Sequence, residues 1–375
     1  MKENRNILPA ASRSIARAAR LIRAGGLVAF PTETVYGLGA NAFDAAAVAR
    51  IFEAKGRPRF NPLIVHVSSL RDALRLWRRV PARMRRLMDS FWPGPLALVL
   101  PKSTRVPDIV TAGLDSVAVR MPDHPVALDL LRRCGCPVAA PSANRFGRPS
   151  PTCARDVLLE LGERVDMILD GGPSPIGLES TVVSFIDGEP VVMRAGSTTV
   201  EALEKTLRRR IGVMPGPARP GDRKKTSAAA PAGSTPGLRS PGIMEGHCAR
   251  GGKPLFILTR RRRPTGRGGH SAVFPLSRSA LLTLRPVPDA RRFAFVEILS
   301  PMGDLVEAAT RLFASIRRLE ATDVDCMLAR PVARRGLGLA IMDRLERAAA
   351  GRAWIDETSR SVIVVGDSEP FSVQP

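Results

Sequence analysis

Long apolar runs and clustered cysteines are both missing from this sequence. No run of 18 apolar residues occurs among its 375 residues, so no segment is predicted to cross a membrane. Residues 1–11 lack the basic-then-apolar layout of a secretory signal. Five cysteines in a chain of this length do not indicate a disulfide scaffold. Together these absences predict a cytoplasmic protein with no membrane partner.

Familiar metal and nucleophile motifs are absent too. The thiols of Cys134-Gly-Cys136 are too close in sequence for a typical zinc pair, and His247-Cys248 has no matching second pair. No metal site is therefore predicted. No Gly-x4-Gly-Lys-Ser/Thr loop, Gly-x-Gly-x-x-Gly loop or nucleophile elbow occurs. The chemistry is expected to depend on positioning and charge rather than on a covalent nucleophile.

Acidic residues are scarce relative to basic ones. The chain has 57 Lys and Arg against 35 Asp and Glu, a formal net charge of +22. Residues 215–292 alone carry 16 basic and 3 acidic residues. Two interpretations of this segment stay open. It contacts a phosphate-rich partner such as RNA, or it is a solvated basic linker in a chain rich in arginine.

Alternating helical and strand patterns are present, and they predict an α/β domain over residues 1–212. Short apolar runs such as Leu27 to Phe30 and Leu63 to Val67 are typical of buried strands. Asp44 is placed to cap a helix that follows the first of these runs. The alternation predicts a sheet with flanking helices.

The remainder of the chain divides into a linker and a second domain. Residues 213–250 are rich in proline, glycine, alanine and serine, which predicts a linker. Residues 251–375 are expected to form a smaller α/β domain. Its first part, residues 250–292, is basic and poorly patterned, so regular structure is expected to return only at Phe293.

Two segments are the strongest indications of a binding site. A polar loop with Thr34 and neighbouring glycines follows the strand pattern that ends at Phe30, and ligands in open α/β sheets gather where strands end. Lys55 and Arg57 flank a glycine just before Asn61, a layout that suits a polyphosphate. Taken alone, the first segment also fits an ordinary strand-to-helix turn, and the second also fits a basic turn.

Polar or cationic groups recur at five strand ends or starts, which predicts one crevice lined for an anionic ligand. The groups are the Ser142-Ala-Asn144 segment with Ser150 after it, Arg120, Asp170-Gly-Gly172, Glu179-Ser180, and Arg194. Taken singly, each of these groups fits a helix cap or a surface charge, and His66 fits a core histidine.

Six motifs, taken together and in order, resemble the YrdC-like family of threonylcarbamoyl-AMP synthases. They are Phe-Pro-Thr-Glu-Thr-Val-Tyr-Gly-Leu-Gly, Lys-Gly-Arg-Pro-x-x-Asn-Pro-Leu-x-Val-His, Phe-Trp-Pro-Gly-Pro, Val-Ala-Val-Arg-Met-Pro, Ala-Pro-Ser-Ala-Asn and Gly-x-Glu-Ser-Thr-Val-Val. The resemblance covers about residues 10–210. Ser300-Pro-x-Gly-Asp304-Leu and Gly336-Leu-Gly-x-Ala-Ile-x-Asp-Arg344 resemble the C-terminal domain of the family's long form.

The resemblance implies a fold and an activity. The fold would be a YrdC-like twisted mixed sheet with flanking helices, followed by a smaller Rossmann-like α/β domain. The activity would join L-threonine, bicarbonate or carbon dioxide, and ATP into threonylcarbamoyl-AMP and pyrophosphate, with Mg²⁺ expected to accompany ATP. The product would feed the machinery that transfers threonylcarbamoyl to tRNA. An RNA-binding or maturation factor that uses the same basic crevice without synthesis is the alternative.

The resemblance also assigns residues to roles. The family's signature falls on Lys55, Arg57, Ser142 and Asn144, which would be catalytic. ATP would be held by Arg57, Asn61, Ser116, Ser142, Ser150 and Arg194, and L-threonine by Thr34, His66, Arg120 and Ser180.

Overall fold

A computed structural model describes residues 6–215, 253–259 and 271–366. The chain divides into two compact units, of which the first holds residues 6–146 and 150–214 and the second holds residues 253–259 and 271–366. Each unit contains one mixed sheet with helices packed on it. The prediction of an α/β fold in both parts of the chain is therefore confirmed.

Eight α-helices lie in the described residues of the first unit. They are α1 (Ser12–Arg23), α2 (Ala45–Lys55), α3 (Leu70–Leu74), α4 (Ala82–Phe91), α5 (Asp108–Thr111), α6 (Pro125–Cys134), α7 (Ala154–Leu161) and α8 (Val200–Leu207). The predicted cap at Asp44 is confirmed, since its carboxylate accepts hydrogen bonds from the N–H groups of Ala46 and Ala47. Gly56 ends the same helix in the left-handed conformation.

An 11-stranded mixed sheet forms the centre of the first unit. Its strands are β1 (Ile7–Pro9), β2 (Val28–Phe30), β3 (Gly37–Asn41), β4 (Ile64–His66), β5 (Leu96–Pro101), β6 (Ser116–Arg120), β7 (Val138–Ala139), β8 (Met167–Asp170), β9 (Thr181–Ser184), β10 (Val191–Arg194) and β11 (Gly212–Val213). Their order is β1-β8-β2-β3-β7-β4-β6-β5-β9-β10-β11.

Helices cover both faces of this sheet, as the alternation of side chains around β2 shows. Leu27 and Ala29 pack in a cluster with residues of α2, α4, α7 and α8. Val28 and Phe30 pack in a second cluster with residues of α1 and α6. Successive side chains of a strand point to opposite faces, so all four residues are buried. This explains why the segment is a continuous apolar run.

Strand β3 is an element that the sequence did not predict. It pairs antiparallel with β2, with Phe30 opposite Gly37, so the polar loop between them is a hairpin connection. A Cβ atom at Gly39 would lie 2.8 Å from ring atoms of Phe30 and from Val138. Glycine is required at position 39 because the ring of Phe30 and the side chain of Val138 occupy the space where a Cβ atom would lie.

A seven-stranded sheet forms the second unit. Its strands are β12 (Leu255–Leu258), β13 (Ser271–Pro275), β14 (Ser279–Thr283), β15 (Phe295–Ile298), β16 (Cys326–Ala329), β17 (Ala349–Asp356) and β18 (Ser361–Gly366), in the order β13-β18-β17-β12-β16-β14-β15. Helices α9 (Leu305–Glu320) and α10 (Leu337–Ala348) complete it. The five adjacent strands β17, β12, β16, β14 and β15 run parallel to one another. Strand β18 pairs antiparallel with β17, and β13 pairs antiparallel with β18 at the edge.

The expectation that residues 250–292 lack regular structure is wrong for the part that is described. Strands β12, β13 and β14 all lie in this stretch, and every residue of β12 and β14 is buried. Their apolar runs are only four or five residues long and adjoin basic residues, which hid them from pattern analysis. Most of the predicted linker at 213–250, and Arg260 to Arg263, lie outside the described residues. Among the described helices, none has the length and apolar character needed to cross a membrane.

Candidate active site

Two buried polar side chains lie next to each other where strands β4 and β6 end. The strands run parallel, and their register pairs His66 with Arg120. Both residues are only 4% exposed. The carboxyl ends of neighbouring parallel strands are the usual place for a ligand in an α/β sheet. The structure thus brings together two of the residues that the family resemblance assigns to threonine.

Arg120 is held by oxygen atoms from two loops. Its Nε donates to the carbonyl oxygen of Gly94 at 3.2 Å, and its NH1 donates to Oγ1 of Thr34 at 2.9 Å. Its NH2 lies 2.5 Å from Oε1 of Glu33 in a buried ion pair. Because the guanidinium is planar, contacts at three nitrogens fix its orientation. Thr34 therefore joins His66 and Arg120 in one group.

The hydroxyl groups of Thr32 and Thr34 form a chain whose direction can be assigned. Oγ1 of Thr32 donates to the carbonyl oxygen of Val35 at 2.6 Å, and the two hydroxyl oxygens are 2.8 Å apart. A hydroxyl has one proton, so Thr32 accepts from Thr34. Thr34 in turn accepts from Arg120. The proton of the Thr34 hydroxyl is thus already used, and this oxygen meets a ligand as an acceptor.

Burial keeps the imidazole of His66 uncharged. Burial, followed by the nearby charge of Arg120, lowers the pKa of His66 to about 3. Its Nδ1 is buried and has no hydrogen-bond partner among the described residues. The ring meets Phe30 edge-on, with centroids 6.4 Å apart. A neutral imidazole with an unpaired nitrogen is equipped to bind a ligand rather than to fill a core.

Lys55 reaches from the end of α2 to the turn that follows β7. Its Nζ donates to the main-chain carbonyl oxygens of Ser142 and Asn144. Lys55 is 2% exposed, and burial together with the charge of Arg57 lowers its pKa well below the ordinary value. Lys55 therefore fixes the shape of the turn at 142–144 and is not a solvated surface cation.

Arg57 organises the segment that leads into β4. Its guanidinium donates from Nε to the carbonyl oxygen of Asn61 at 3.2 Å and from NH2 to that of Pro62 at 2.9 Å. Burial, followed by the charge of Arg194, lowers the pKa of Arg57 to about 9. Both polar atoms of the Asn61 side chain are buried without a partner in the described part of the chain. An unpaired buried amide is costly, so Asn61 is suited to meet a ligand.

Four further residues converge on one turn before β9. Arg194 donates from NH2 to the carbonyl oxygen of Ser180 at 2.8 Å and to its Oγ at 3.2 Å. Ser150 donates to Oε1 of the adjacent Glu179 at 2.6 Å. The charges of Arg194 and Arg57 interact, so this turn adjoins the segment before β4. The crevice inferred from strand ends is therefore supported on this side.

Ser116 lies at the opposite end of β6 from Arg120, alongside the segment that leads into the parallel strand β4. It begins strand β6, whereas Arg120 ends it, so about 13 Å of strand separates them. Ser116 pairs with Pro101 at the far end of β5. Its assignment to ATP stays a prediction.

The family resemblance assigned no ligand to two buried carboxylates of the site. Glu33 and Glu179 are 4% and 7% exposed, yet acidic residues in polar loops are usually solvated. Only the fold brings Glu33 to Arg120 and Glu179 to Ser150, so no local pattern could have revealed them. Within the described ranges, no group of three or more His, Cys, Asp or Glu residues could hold a metal ion.

Comparison with known proteins identifies the family. A model of the Sua5/YciO/YrdC domain, described as telomere recombination, matches residues 20–196. A model of the threonylcarbamoyl-AMP synthase C-terminal domain matches residues 198–350. The threonylcarbamoyl-AMP synthase of Pyrococcus abyssi is 41% identical over 336 residues, which are 89% of this chain and 94% of that one. This chain belongs to the threonylcarbamoyl-AMP synthase family.

Other members of the threonylcarbamoyl-AMP synthase family agree with this assignment. The Bacillus subtilis enzyme is 40% identical over 343 residues, 90% of this chain and 93% of that one. The structure of P. abyssi Sua5 complexed with L-threonine has a TM-score of 0.77 and 38% identity, and the match covers 92% of this chain and 96% of that one. The predictions of a YrdC-like fold and of a nucleotidyltransferase-type enzyme are therefore confirmed.

Proposed function

We propose that this chain synthesises threonylcarbamoyl-AMP and pyrophosphate from L-threonine, bicarbonate or carbon dioxide, and ATP. The observation that carries the proposal is the buried group of Thr34, His66 and Arg120. The main-chain oxygen of Thr34 accepts from Gly177, in the turn that the buried Arg194 holds at Ser180, and the charge of Arg194 interacts with that of the buried Arg57. The names of its relatives support the same activity. A small zwitterion and a polyphosphate are the two ligand types that such a site suits.

Threonine would bind at the ends of β4 and β6. We propose that Arg120 meets its carboxylate, because the guanidinium is buried and fixed in orientation. Thr34 would accept a hydrogen bond from another polar group of threonine, and the neutral His66 would form a hydrogen bond with a further one. Ser180 would complete the set from the turn before β9. A relative from P. abyssi has been solved in complex with L-threonine, which supports a threonine site in this fold.

ATP would bind along the turns at 142–144 and before β4. Arg57, Asn61 and Arg194 would meet the nucleotide, with Ser142 as a neutral donor, Ser150 as a neutral polar neighbour and Ser116 beside the start of β4. Lys55 and Asn144 would act mainly by shaping the turn, since Lys55 is bonded to main-chain oxygens there. Mg²⁺ would arrive bound to the phosphates of ATP, because the described residues include no cluster of metal ligands.

The reaction needs positioning more than proton transfer. The ammonium group of threonine first releases a proton to solvent, and the free amine adds to carbon dioxide. A second proton leaves the nitrogen for solvent, which gives a carbamate with one N–H, and a carbamate oxygen then attacks the α-phosphorus of ATP. The bond from that phosphorus to the bridging oxygen breaks, and pyrophosphate leaves with the electron pair. Fixed cations stabilise the charge that develops on the phosphates, so the absence of a nucleophile motif fits this chemistry.

The direct test is release of pyrophosphate from ATP that depends on both threonine and bicarbonate. Omission of either co-substrate should abolish release, and the Arg57→Ala variant should reduce it strongly. ATP hydrolysis that ignores threonine would contradict the proposal. Transfer of the product to tRNA by a downstream enzyme would follow from the same activity. The basic segments that favour an RNA-binding factor lie largely outside the described residues, and RNA binding without pyrophosphate release would favour that alternative.

A further inference from the structure

The carboxylate of Glu33 is the least satisfied polar group of the site. Glu33 is 4% exposed, and neither Oε1 nor Oε2 has an aligned hydrogen-bond partner among the described residues. Oε1 lies close to NH2 of Arg120, but that contact is an ion pair without hydrogen-bond alignment. A buried carboxylate accepts several hydrogen bonds and is costly when they are missing. The geometry therefore leaves lone pairs that a donor from outside the chain can meet.

The neighbouring protein groups do not supply that donor. The proton of the Thr34 hydroxyl points to Thr32, as the hydrogen-bond chain requires. Arg120 directs Nε to Gly94 and NH1 to Thr34. His124 is buried nearby and interacts electrostatically with Glu33, but its Nδ1 makes no hydrogen bond within the described part of the chain. The acceptor capacity of Glu33 is thus left for a ligand.

We infer that Glu33 binds the α-ammonium group of the amino acid substrate, while Arg120 binds its α-carboxylate. This inference rests on the function proposed above. A buried Glu and Arg pair presents one negative and one positive group next to each other, which is the complement of a zwitterion. Glu33 then makes the site specific for an α-amino acid. After carboxylation the nitrogen still carries one N–H, which donates to the same carboxylate.

The pairing has a consequence for selectivity. An α-hydroxy acid with the side chain of threonine keeps the carboxylate but replaces the cation with a neutral hydroxyl. A charge-assisted hydrogen bond contributes more than a neutral one, and its loss corresponds to about 10- to 100-fold in affinity. The wild-type protein should therefore bind L-threonine more tightly than 2,3-dihydroxybutanoate by about this factor.

The test compares these two ligands by calorimetry in the full chain. Glu33→Gln keeps the size of the side chain and removes its charge. This change should weaken the binding of threonine about 10- to 100-fold. The affinity for 2,3-dihydroxybutanoate should stay the same or increase, because Arg120 loses its internal partner. Glu160→Gln is the matched control, since Glu160 is a buried carboxylate on α7. It should keep the wild-type preference for threonine.

Other outcomes overturn the inference. Equal weakening of both ligands by Glu33→Gln would mean that Glu33 only orients Arg120, and no change would mean that it meets neither ligand. Should the Gln variant fail to fold, Glu33→Asp keeps the charge on a shorter side chain and should lose part of the preference. A wild-type protein that binds threonine and the hydroxy acid equally well also overturns the inference. Failure of the wild-type protein to bind threonine at all would instead contradict the proposed function.

Discussion

The side chain of Lys55 donates a hydrogen bond to the main-chain oxygen of Ser142, a residue 87 positions away in the sequence. A second bond from the same Nζ reaches Asn144. One buried lysine thus joins the end of a helix to the turn that follows β7. This contact connects three residues to which the family resemblance assigns the signature, and it gives Lys55 a structural role beside the proposed functional one.

Lys55→Met should lower both stability and activity. The change leaves two buried carbonyl oxygens without their charged donor, which should cost about 1.5–3 kcal/mol in the free energy of unfolding. Urea unfolding and pyrophosphate release measure the two effects. Lys205→Met is the control, because Lys205 is exposed on α8. This substitution should change the free energy of unfolding by no more than about 0.5 kcal/mol. A Lys55→Met protein as stable as the control would contradict the positioning role.

Arg57→Lys should impair catalysis with ATP more than it impairs folding. Lysine keeps the charge but cannot donate to the carbonyl oxygens of Asn61 and Pro62 with the planar fork of arginine. A lost charge-assisted contact should lower kcat/KM for ATP about 10- to 150-fold, equivalent to about 1.5–3 kcal/mol. Steady-state kinetics with ATP varied measures this. Unchanged kinetics would place the phosphates elsewhere.

Ser180→Ala should modestly weaken the binding of threonine. The variant keeps the main-chain oxygen that receives the shorter bond from Arg194 and removes only the hydroxyl. A neutral hydrogen bond is worth about 0.5–1.5 kcal/mol, so the KM for threonine should rise about 2- to 12-fold. The KM for ATP should change less. A rise confined to the KM for ATP would instead mean that Ser180 affects nucleotide binding through Arg194.

The sequence indicated the residues of the candidate site, but it did not predict several strands of the fold. Motif residues such as Lys55 and Arg120 lie at the end of a helix or of a strand, where polar side chains beside apolar runs are easy to recognise. Strand β12 was missed because its four apolar residues precede a run of arginines. Strand β3 was missed because its glycines are typical of loops, although packing against Phe30 requires glycine at position 39. Short patterns do not reveal long-range packing.

Burial is the other property that the sequence could not reveal. Lys55 and Arg57 looked like cations of an exposed turn, yet they are 2% and 6% exposed. The role of Glu33 depends on Arg120, which the sheet brings next to it. Charge and spacing predict which residues meet a ligand, whereas the partners that hold them follow from the fold alone.

Neutralising Arg260 to Arg263 with glutamine should separate RNA binding from synthesis. Four fewer positive charges should reduce RNA retention at low salt, because release of counterions drives such binding. Pyrophosphate release should stay nearly unchanged. Filter binding at several salt concentrations and a pyrophosphate assay measure the two activities. Collapse of synthesis with RNA binding intact would place this segment in the active site.

The buried, neutral state of His66 predicts a pH dependence of stability. Its pKa of about 3 in the folded protein lies below the value of about 6.5 in an unfolded chain, so only the unfolded chain takes up a proton between these values. The contribution of His66 to the free energy of unfolding therefore has its full value above about pH 6.5. Below that pH the free energy of unfolding falls by about 1.4 kcal/mol per pH unit.

Comparison with His66→Gln isolates this effect, because glutamine does not titrate. Between pH 7.5 and pH 5 the wild-type protein should lose about 2 kcal/mol more unfolding free energy than the variant. Urea unfolding of both proteins at several pH values measures the difference, and the shared titration of other groups cancels. A difference that stays constant over this range would mean that His66 has the same pKa in the folded and the unfolded protein, as a solvated imidazole does. That result would remove the neutral imidazole from the proposed threonine site.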